Sequence, residues 1–538
     1  MKITEEDYNL NKKSNMLADK TVDGSDSSLK KVVRGTIIVI IGTIVAMPLA
    51  FLAKIILARF FTQSEYGIFS LGFSIVNILV VISLLGLGVG STRQIAYHRE
   101  KKNFSQVQGI INSSMQISLI TSIIVSMIVI LTSDFLSIKV FHDSALSMPL
   151  KIFAISIPFI TITDVLLSIY RGFDRVEEQV YFDNVLKNIL FFVFLLPVLF
   201  FAFSFHYVII AFLASFIVTL IVFVIYAKKR LPFSLIRKKG IRPIPSIYKD
   251  LLLFSMPLLS IALFQMILTW TDTLMLGGMR TLDEVGLYNA AHPVADFIGI
   301  PMGALLLIFA PIITGLFAKE SFSEIRRNYY VLTKWVFLTS LPLFLIIFLF
   351  PQVFLNSLFG NNYVSAGLTL QVLSLGYFIV NLLGPNGTTL VAIGKTKFLM
   401  WASFAAAVLN IILNLVLIPF MGILGASIAT SISIAFHCII RQAKVHSLLK
   451  IDPITRNLLK PTIISIPLIL IIWFIVISYL VVTIWMLPLI FLLFIIVIFL
   501  VMIFTKSLDQ EDIVMILEIE KKLGINLSPI KKILSKFL

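Results

Sequence analysis

Apolar runs long enough to cross a bilayer, cut by short polar turns, recur along almost the whole chain. A helix crossing a hydrocarbon core needs about 20 mainly apolar residues. By that measure the pattern predicts about fourteen spans, near residues 35–58, 67–92, 107–132, 149–170, 181–203, 206–227, 251–277, 286–317, 328–350, 364–392, 398–419, 422–444, 460–480 and 483–505. The expected fold is therefore all-α and polytopic. The faintest interruption is Val481–Pro488, inside a nearly unbroken apolar run from Ile463 to Phe504.

The pattern also repeats. The turn after the first span carries Thr62, Glu65 and Gly67, and Thr281, Glu284 and Gly286 return at one constant offset. Phe104-Ser105 corresponds to Phe322-Ser323 in nearly the same register, and Gly172, Asn188 and Pro197 correspond to Gly394, Asn410 and Pro419. An ordered series inside matching hydropathy predicts a duplication. The longest loop is the sixth; it is strongly basic and holds Pro232, Pro243 and Pro245. The expected organisation is a tail (1–31), a first six-helix lobe (32–227), a basic linker (228–249), a second lobe (250–446), an extra helix pair (447–505) and an amphipathic tail (506–538). An even number of spans per half makes the repeats parallel, related by an axis along the membrane normal with a cavity between them.

Charge orients the chain. Basic residues fill the N-terminal tail and the even loops (Arg99, Lys101 and Lys102; Lys228–Arg230; Arg326 and Arg327; Lys395 and Lys397; Arg441 and Lys444), and the odd loops hold almost none. By the positive-inside rule both termini are cytoplasmic, in a multi-pass protein of the cell membrane.

Composition confirms the class: 58% of the 538 residues are hydrophobic, 13% are charged, and the mean hydropathy is +1.00. The net charge of +16 is spread over loops between apolar segments. That distribution fits contacts with anionic membrane lipids and argues against nucleic acid as a partner. Cys438, the single cysteine, excludes an intrachain disulfide, and Met1–Lys31 is too polar and charged for a cleavable signal peptide. Metal-hydrolase, phosphate-loop and serine-hydrolase motifs are missing, so the sequence suggests neither enzyme chemistry nor a metal or cofactor. Gly86, Gly88 and Gly90 follow no strand and read as helix-packing residues.

Ala58-Arg59 followed by Ser64-Glu65-Tyr66-Gly67 resembles a signature of the polysaccharide-export flippases. Thr271–Gly277 and Val285–Asn289 resemble its second-half counterpart, and Phe359-Gly360, Tyr363 and Ala392–Lys395 are similar to that family as well. The resemblance covers roughly residues 30–450 and implies the multidrug/oligosaccharidyl-lipid/polysaccharide (MOP) exporter superfamily, whose members flip lipid-linked sugars by alternating access. One departure is Phe60-Phe61-Thr62 where the family has Leu-Gly, which leaves the turn without its glycine.

Candidate site residues are the polar groups inside spans, since an ionised side chain at mid-bilayer costs at least about 2.5 kcal/mol. Lys54, Asp164, Asp272, His292 and Asp296 qualify. Asp296 faces either a cavity or its neighbour His292, one turn away, and Asn77 is its repeat partner. Arg59 and Arg93 sit at helix ends as head-group contacts, and the resemblance makes them candidate pyrophosphate contacts. Asn188 and Asn410 serve either as interhelical hydrogen bonds or as ligand contacts. Lys54 and Asp272 fall at nearly equivalent repeat positions with opposite charge, and the expectation is that they pair across the outer gate. The function so implied is flipping of a polyprenyl (pyro)phosphate-linked oligosaccharide from inner to outer leaflet, with H+ or Na+ as coupling ion. A cation-drug antiporter of the same superfamily is the alternative, and would favour a carboxylate where the first span has Lys54.

Overall fold

The computed structural model describes residues 46–201, 203–231 and 245–507, with Gly42 before them. The two expected tails and most of the basic linker lie outside the described residues. Every regular element is helical, with no strand among the described residues. In chain order they are α1 (46–60), α2 (Gln63–Leu84), α3 (Leu87–Glu100), α4 (Phe104–Phe135), α5 (Ser147–Gly172), α6 (Lys187–Phe200), α7 (His206–Arg230), α8 (Pro245–Met279) and α9 (Leu282–Asp296). They continue as α10 (Ile300–Ala318), α11 (Phe322–Leu349), α12 (Pro351–Phe359), α13 (Gly367–Leu382), α14 (Asn386–Ala392), α15 (Thr396–Met421), α16 (Ile423–Leu449), α17 (Arg456–Tyr479) and α18 (Leu487–Phe504).

Among the described residues eleven helices are long and apolar enough to cross a membrane, or twelve when the bent pair α9–α10 counts as one span. That count covers twelve of the expected fourteen segments. Of the other two, the segment near 35–58 lies partly outside the described residues, and the segment near 251–277 is the middle of α8. The outer faces are what lipid requires: Phe200, Phe420 and Trp485 are 82%, 83% and 84% exposed, which water would not tolerate in such numbers. The faint turn at Val481–Pro488 is real, since α17 stops at Tyr479 and α18 starts at Leu487.

Three apolar runs that read as continuous are broken. Leu85 and Gly86 both adopt left-handed backbone between α2 and α3, a conformation glycine takes at little cost. A short 3-10 turn, Phe297–Gly299, separates α9 from α10, and Leu383–Pro385 separates α13 from α14.

The repeated residues have plain structural jobs. Thr62 caps α2 by accepting from the Glu65 N–H at 3.2 Å, while the Glu65 carboxylate accepts from the Thr62 N–H at 2.9 Å. This reciprocal box satisfies two donors that a helix start leaves free. Thr281 caps α9 through the Glu284 N–H in the same way, though the Glu284 carboxylate pairs with Arg280 at 3.6 Å instead. Thr62 is extended, with φ of −69°, so this turn needs no glycine and the family departure costs nothing.

Gly67 and Gly286 form the seam between the two halves of the chain. A Cβ on Gly67 would strike the Leu282 carbonyl oxygen, and one on Gly286 would strike the Gln63 carbonyl oxygen. At the repeat offset Gln63 and Leu282 are themselves equivalent, so the contact is reciprocal, as across a two-fold axis. Gly303, by contrast, has nothing within 4 Å of its would-be Cβ among the described residues. Gly67→Ala and Gly286→Ala are each expected to destabilise the purified protein by about 1–3 kcal/mol through overpacking. Gly303→Ala should be neutral or stabilising by up to about 1 kcal/mol from helix propensity. Thermal unfolding in detergent checks this, and equal stability of all three variants would mean the α2–α9 seam is not closed in solution.

Candidate functional site

Two polar clusters occupy the second half of the chain. The first is built on Asp272, in α8 and only 2% exposed. Tyr288 of α9 donates its hydroxyl to Oδ2 at 2.7 Å; Asn410 and Asn414 of α15 donate to Oδ1 at 3.2 and 2.6 Å; and Thr430 of α16 donates to Oδ2. Asn410 and Asn414 are one turn apart, so both amides project from one face of α15, and they bond to each other at 3.2 Å. Four donors fill the four lone-pair directions of an ionised carboxylate. Every donor is neutral, so the carboxylate's charge has no protein cation against it among the described residues. The Asn414 carbonyl oxygen is buried without a hydrogen-bond partner.

The first half of the chain shows that helix packing does not demand this cluster. At the repeat offsets Asp272, Tyr288 and Asn414 correspond to Ala53, Phe69 and Phe192, leaving Asn188 alone as a polar counterpart to Asn410. The same framework folds there around apolar side chains.

The second cluster lies where the halves meet. His292 and Asp296 are one turn apart on α9, with Nδ1 and Oδ2 3.5 Å from each other, and Tyr377 of α13 holds the other ring nitrogen at 3.1 Å. Asp296 stays about half exposed, at 49%. Across the seam, Phe51 of α1 packs edge-on against Phe297, with centroids 4.8 Å apart. Lys54, one turn further along the same face of α1, interacts electrostatically with Asp296. The carboxylate of the other half whose field reaches Lys54 is therefore Asp296. The expected Lys54–Asp272 pair does not form, because the hydrogen bonds of Asp272 all go to residues of the second half.

The other predicted residues are dispersed. Arg59 is exposed and donates to the Leu358 carbonyl at 2.8 Å and to the Ser357 carbonyl, so it neutralises the negative C-terminal end of α12. Beside it Gln63 donates to the Asn362 carbonyl at 2.5 Å, and Tyr66 donates to the Asn289 carbonyl at 3.1 Å. Gly360, at φ of 104°, ends α12 and lets the chain turn towards buried Tyr363, whose ring lies 6.2 Å from that of Tyr66. The signature residues of both halves thus converge on one closed end. Arg93 lies over the Phe254 ring at 4.7 Å, where α3 meets α8, and Gly86 and Gly90 abut Ser255 nearby. Asp164 is half-buried in the first half, near the Lys187–Asp183 ion pair, which closes at 2.5 Å. Asn77 and Asn188 donate to the Phe73 and Asn184 carbonyls of their own helical segments.

Comparison with known proteins decides the family. The family model described as "Polysaccharide biosynthesis protein" matches residues 32–317, more than half of the chain, and the model described as "MatE" matches residues 257–416. The chain belongs to the polysaccharide biosynthesis protein family. This family member is 23% identical over 408 residues to a putative O-antigen transporter of Shigella flexneri, covering 75% of this chain and 94% of that one. Its fold resembles the lipid II flippase MurJ in an inward-closed conformation, with a TM-score of 0.66 at 15% identity over 88% of this chain and 99% of that one. It also resembles an inward-facing MATE-family multidrug-resistance transporter of the MOP superfamily, with a TM-score of 0.64 at 16% identity over 75% of this chain and 95% of that one. This family member is thus a multi-pass membrane transporter of the MOP superfamily.

Proposed function

We propose that the protein is a flippase that carries a polyprenyl-linked oligosaccharide from the inner to the outer leaflet by alternating access. In this reading residues 32–227 and 250–446 are two lobes related by the axis that passes between Gly67 and Gly286, with both termini in the cytoplasm and helices α17 and α18 as an added pair. The observation that carries the reading is Lys54. It is a basic residue on the first lobe, half-buried, and the acid it interacts with electrostatically is Asp296, a half-exposed carboxylate of the second lobe. An anionic pyrophosphate head is the chemistry that would take Lys54 away from Asp296, and its lipid tail can remain in the bilayer beside the seam. Because the signature residues close the lobes where α2 and α9 begin, the extracellular end under the positive-inside assignment, the described state has its outer gate shut. Arg59 and Gln63 then act as the latch of that gate.

The Asp272 cluster suits the coupling ion. A proton, or a sodium ion set among the oxygens of Asp272, Asn410, Asn414 and Thr430, would balance the buried charge without a protein cation. The second reading, a cation-drug antiporter, is favoured only by the MatE match over residues 257–416, and Lys54 opposes it. Proteoliposomes loaded with a short polyprenyl-pyrophosphate oligosaccharide and, separately, with a cationic dye distinguish the two. Glycolipid should become accessible on the far side only with the protein present, and dye efflux should stay at background. Dye efflux without glycolipid movement would overturn the proposal.

A further inference from the structure

A cavity of about 400 Å³ lies inside the second half of the chain, on the cytoplasmic side of the Asp272 cluster under the positive-inside assignment. Four helices supply its polar lining: Gln265 from α8, Thr388 from α14, Thr396 and Ser403 from α15, and His437 and Arg441 from α16. Thr396 is exposed at the mouth, whereas Ser403 and His437 are buried. Gln265 donates its amide to the Ser403 hydroxyl at 3.2 Å, and that hydroxyl lies 3.2 Å from Nε2 of His437. The three side chains form a second polar tier below the carboxylate. Gln265 is seven residues from Asp272, Ser403 seven from Asn410 and His437 seven from Thr430. Seven residues are two helical turns and about 10 Å, so each helix presents one face to both tiers. α16 runs opposite to α8 and α15, and the three displacements therefore agree in direction.

Between the tiers stands Ser433, fully buried, its hydroxyl without a hydrogen-bond partner among the described residues. Thr430, Ser433, His437 and Arg441 follow a spacing of three and four along α16, a stripe that leads from the carboxylate into the cavity. At the repeat offset of each helix, Gln265 and Ser403 correspond to Ala46 and Tyr181, so the lower tier, like the upper, belongs to the second half alone. No carboxylate lines the cavity. Arg441 donates from Nε to the His437 carbonyl at 3.2 Å, and a Cβ on Gly387 would meet its Nη1 at 2.8 Å, which sets the guanidinium against α14. It is the charge whose field reaches the imidazole. Cys438 is the other titratable neighbour on α16, the residues that α8, α14 and α15 give to the cavity are neutral, and Tyr377 of α13 is bonded to His292. A sodium ion would leave water for a lining with a guanidinium and no anion, and repulsion opposes that. A proton needs only groups able to take and return one, and hydroxyls and an imidazole are such groups.

We infer, on the reading of the Asp272 cluster as the ion site, that His437 relays the coupling proton between this cavity and that carboxylate. With the outer gate shut, release runs inward. The protonated Asp272 carboxyl gives up its proton by way of water and the Ser433 hydroxyl, and the His437 imidazole takes it. The imidazolium then passes a proton to water in the cavity. Carboxylate and neutral imidazole are left, and one proton has moved. The bond to Ser403, itself held by Gln265, keeps the ring in place throughout.

The full-length protein would be tested in proteoliposomes holding a short polyprenyl-pyrophosphate oligosaccharide, in sodium-free buffer at equal pH on both sides. A potassium diffusion potential supplies the drive, and an entrapped pH dye reads the glycolipid-dependent proton flux. His437→Ala should lower that flux by at least about tenfold, less than positioned proton transfer often contributes because water substitutes in part. Added imidazole, small enough for the cavity, should restore most of it. Ser433→Ala should also lower the flux, with no rescue by imidazole. His437→Gln can still bond to Ser403 but carries no proton, so it should fail as well, and it keeps the test valid if His437→Ala does not fold. Flux unchanged in His437→Gln, or a loss in folded His437→Ala that imidazole does not restore, overturns the inference. A flux that appears only with sodium overturns it too, while loss of ion dependence in Asp272→Asn would still uphold the cluster as the ion site. Ion dependence retained in Asp272→Asn removes both.

Discussion

Asp272→Asn is expected to fold, insert and lose ion-driven transport, with the driven rate falling by about a hundredfold or more, equivalent to roughly 2.7 kcal/mol. Asparagine keeps the volume and one acceptor oxygen, but its amide nitrogen meets donors where the second carboxylate oxygen met them. More important, it removes the negative charge that calls a proton or sodium ion into the cluster. Asp272→Ala should behave worse. It leaves four buried donors aimed at a void, each costing about 1–3 kcal/mol, so loss of folded protein is expected there. The decisive measurement is transport by Asp272→Asn in proteoliposomes under imposed sodium and proton gradients. Ion dependence equal to that of the unmodified protein would remove the cluster from the coupling mechanism.

Lys54→Gln is expected to reduce glycolipid flipping by roughly tenfold to a hundredfold, the value of one charge-assisted contact of about 1.5–3 kcal/mol. Lys54→Arg should retain most of the activity. Asp296→Asn should act in a different way, because it removes the group that competes with cargo for Lys54. Apparent affinity for cargo should rise while turnover falls, a split that a merely structural carboxylate would not produce. In the double variant the two effects should fail to add by about 1–3 kcal/mol, as expected of groups in direct interaction. Additive effects, or a Lys54→Gln variant that flips at the normal rate, would place Lys54 outside the transport path.

Hydropathy alone made the spans legible, because an apolar run has few alternatives to a bilayer helix. The sequence repeat was legible for a subtler reason. Thr62, Glu65 and Gly67 recur as Thr281, Glu284 and Gly286 because a helix start needs a cap and a close backbone contact has no room for a Cβ. Those are constraints on residue type at fixed spacing, and spacing is what a sequence displays. The breaks at Leu85–Gly86, Phe297–Gly299 and Leu383–Pro385 were hidden, since the apolar run continues through each. The Asp272 cluster was half visible: Asp272 and Asn410 stood out as polar residues in spans, whereas Tyr288 entered only as part of the Val285–Asn289 resemblance and Thr430 was not singled out. Nothing in their spacing along the chain reports that α8, α9, α15 and α16 bring them to one carboxylate. The Lys54–Asp272 expectation failed on rotation. Repeat position is known to the residue, but one residue is about 100° around a helix, enough to turn Asp272 into the second half, where its four donors lie.

Only the second half of the chain carries the Asp272 cluster; the first presents Ala53, Phe69 and Phe192 at the corresponding positions of the sequence repeat. On the proposed mechanism that asymmetry sets a stoichiometry: this site admits one ion per turnover, whatever the symmetry of the scaffold. One elementary charge crossing 100 mV yields about 2.3 kcal/mol, and each 1.4 kcal/mol is a factor of ten. The electrical work of that one ion at that potential can therefore hold cargo roughly fortyfold out of balance between the leaflets. The charge of the pyrophosphate head adds its own electrical contribution, and the ion's concentration gradient or removal of the glycolipid on arrival would steepen the imbalance further.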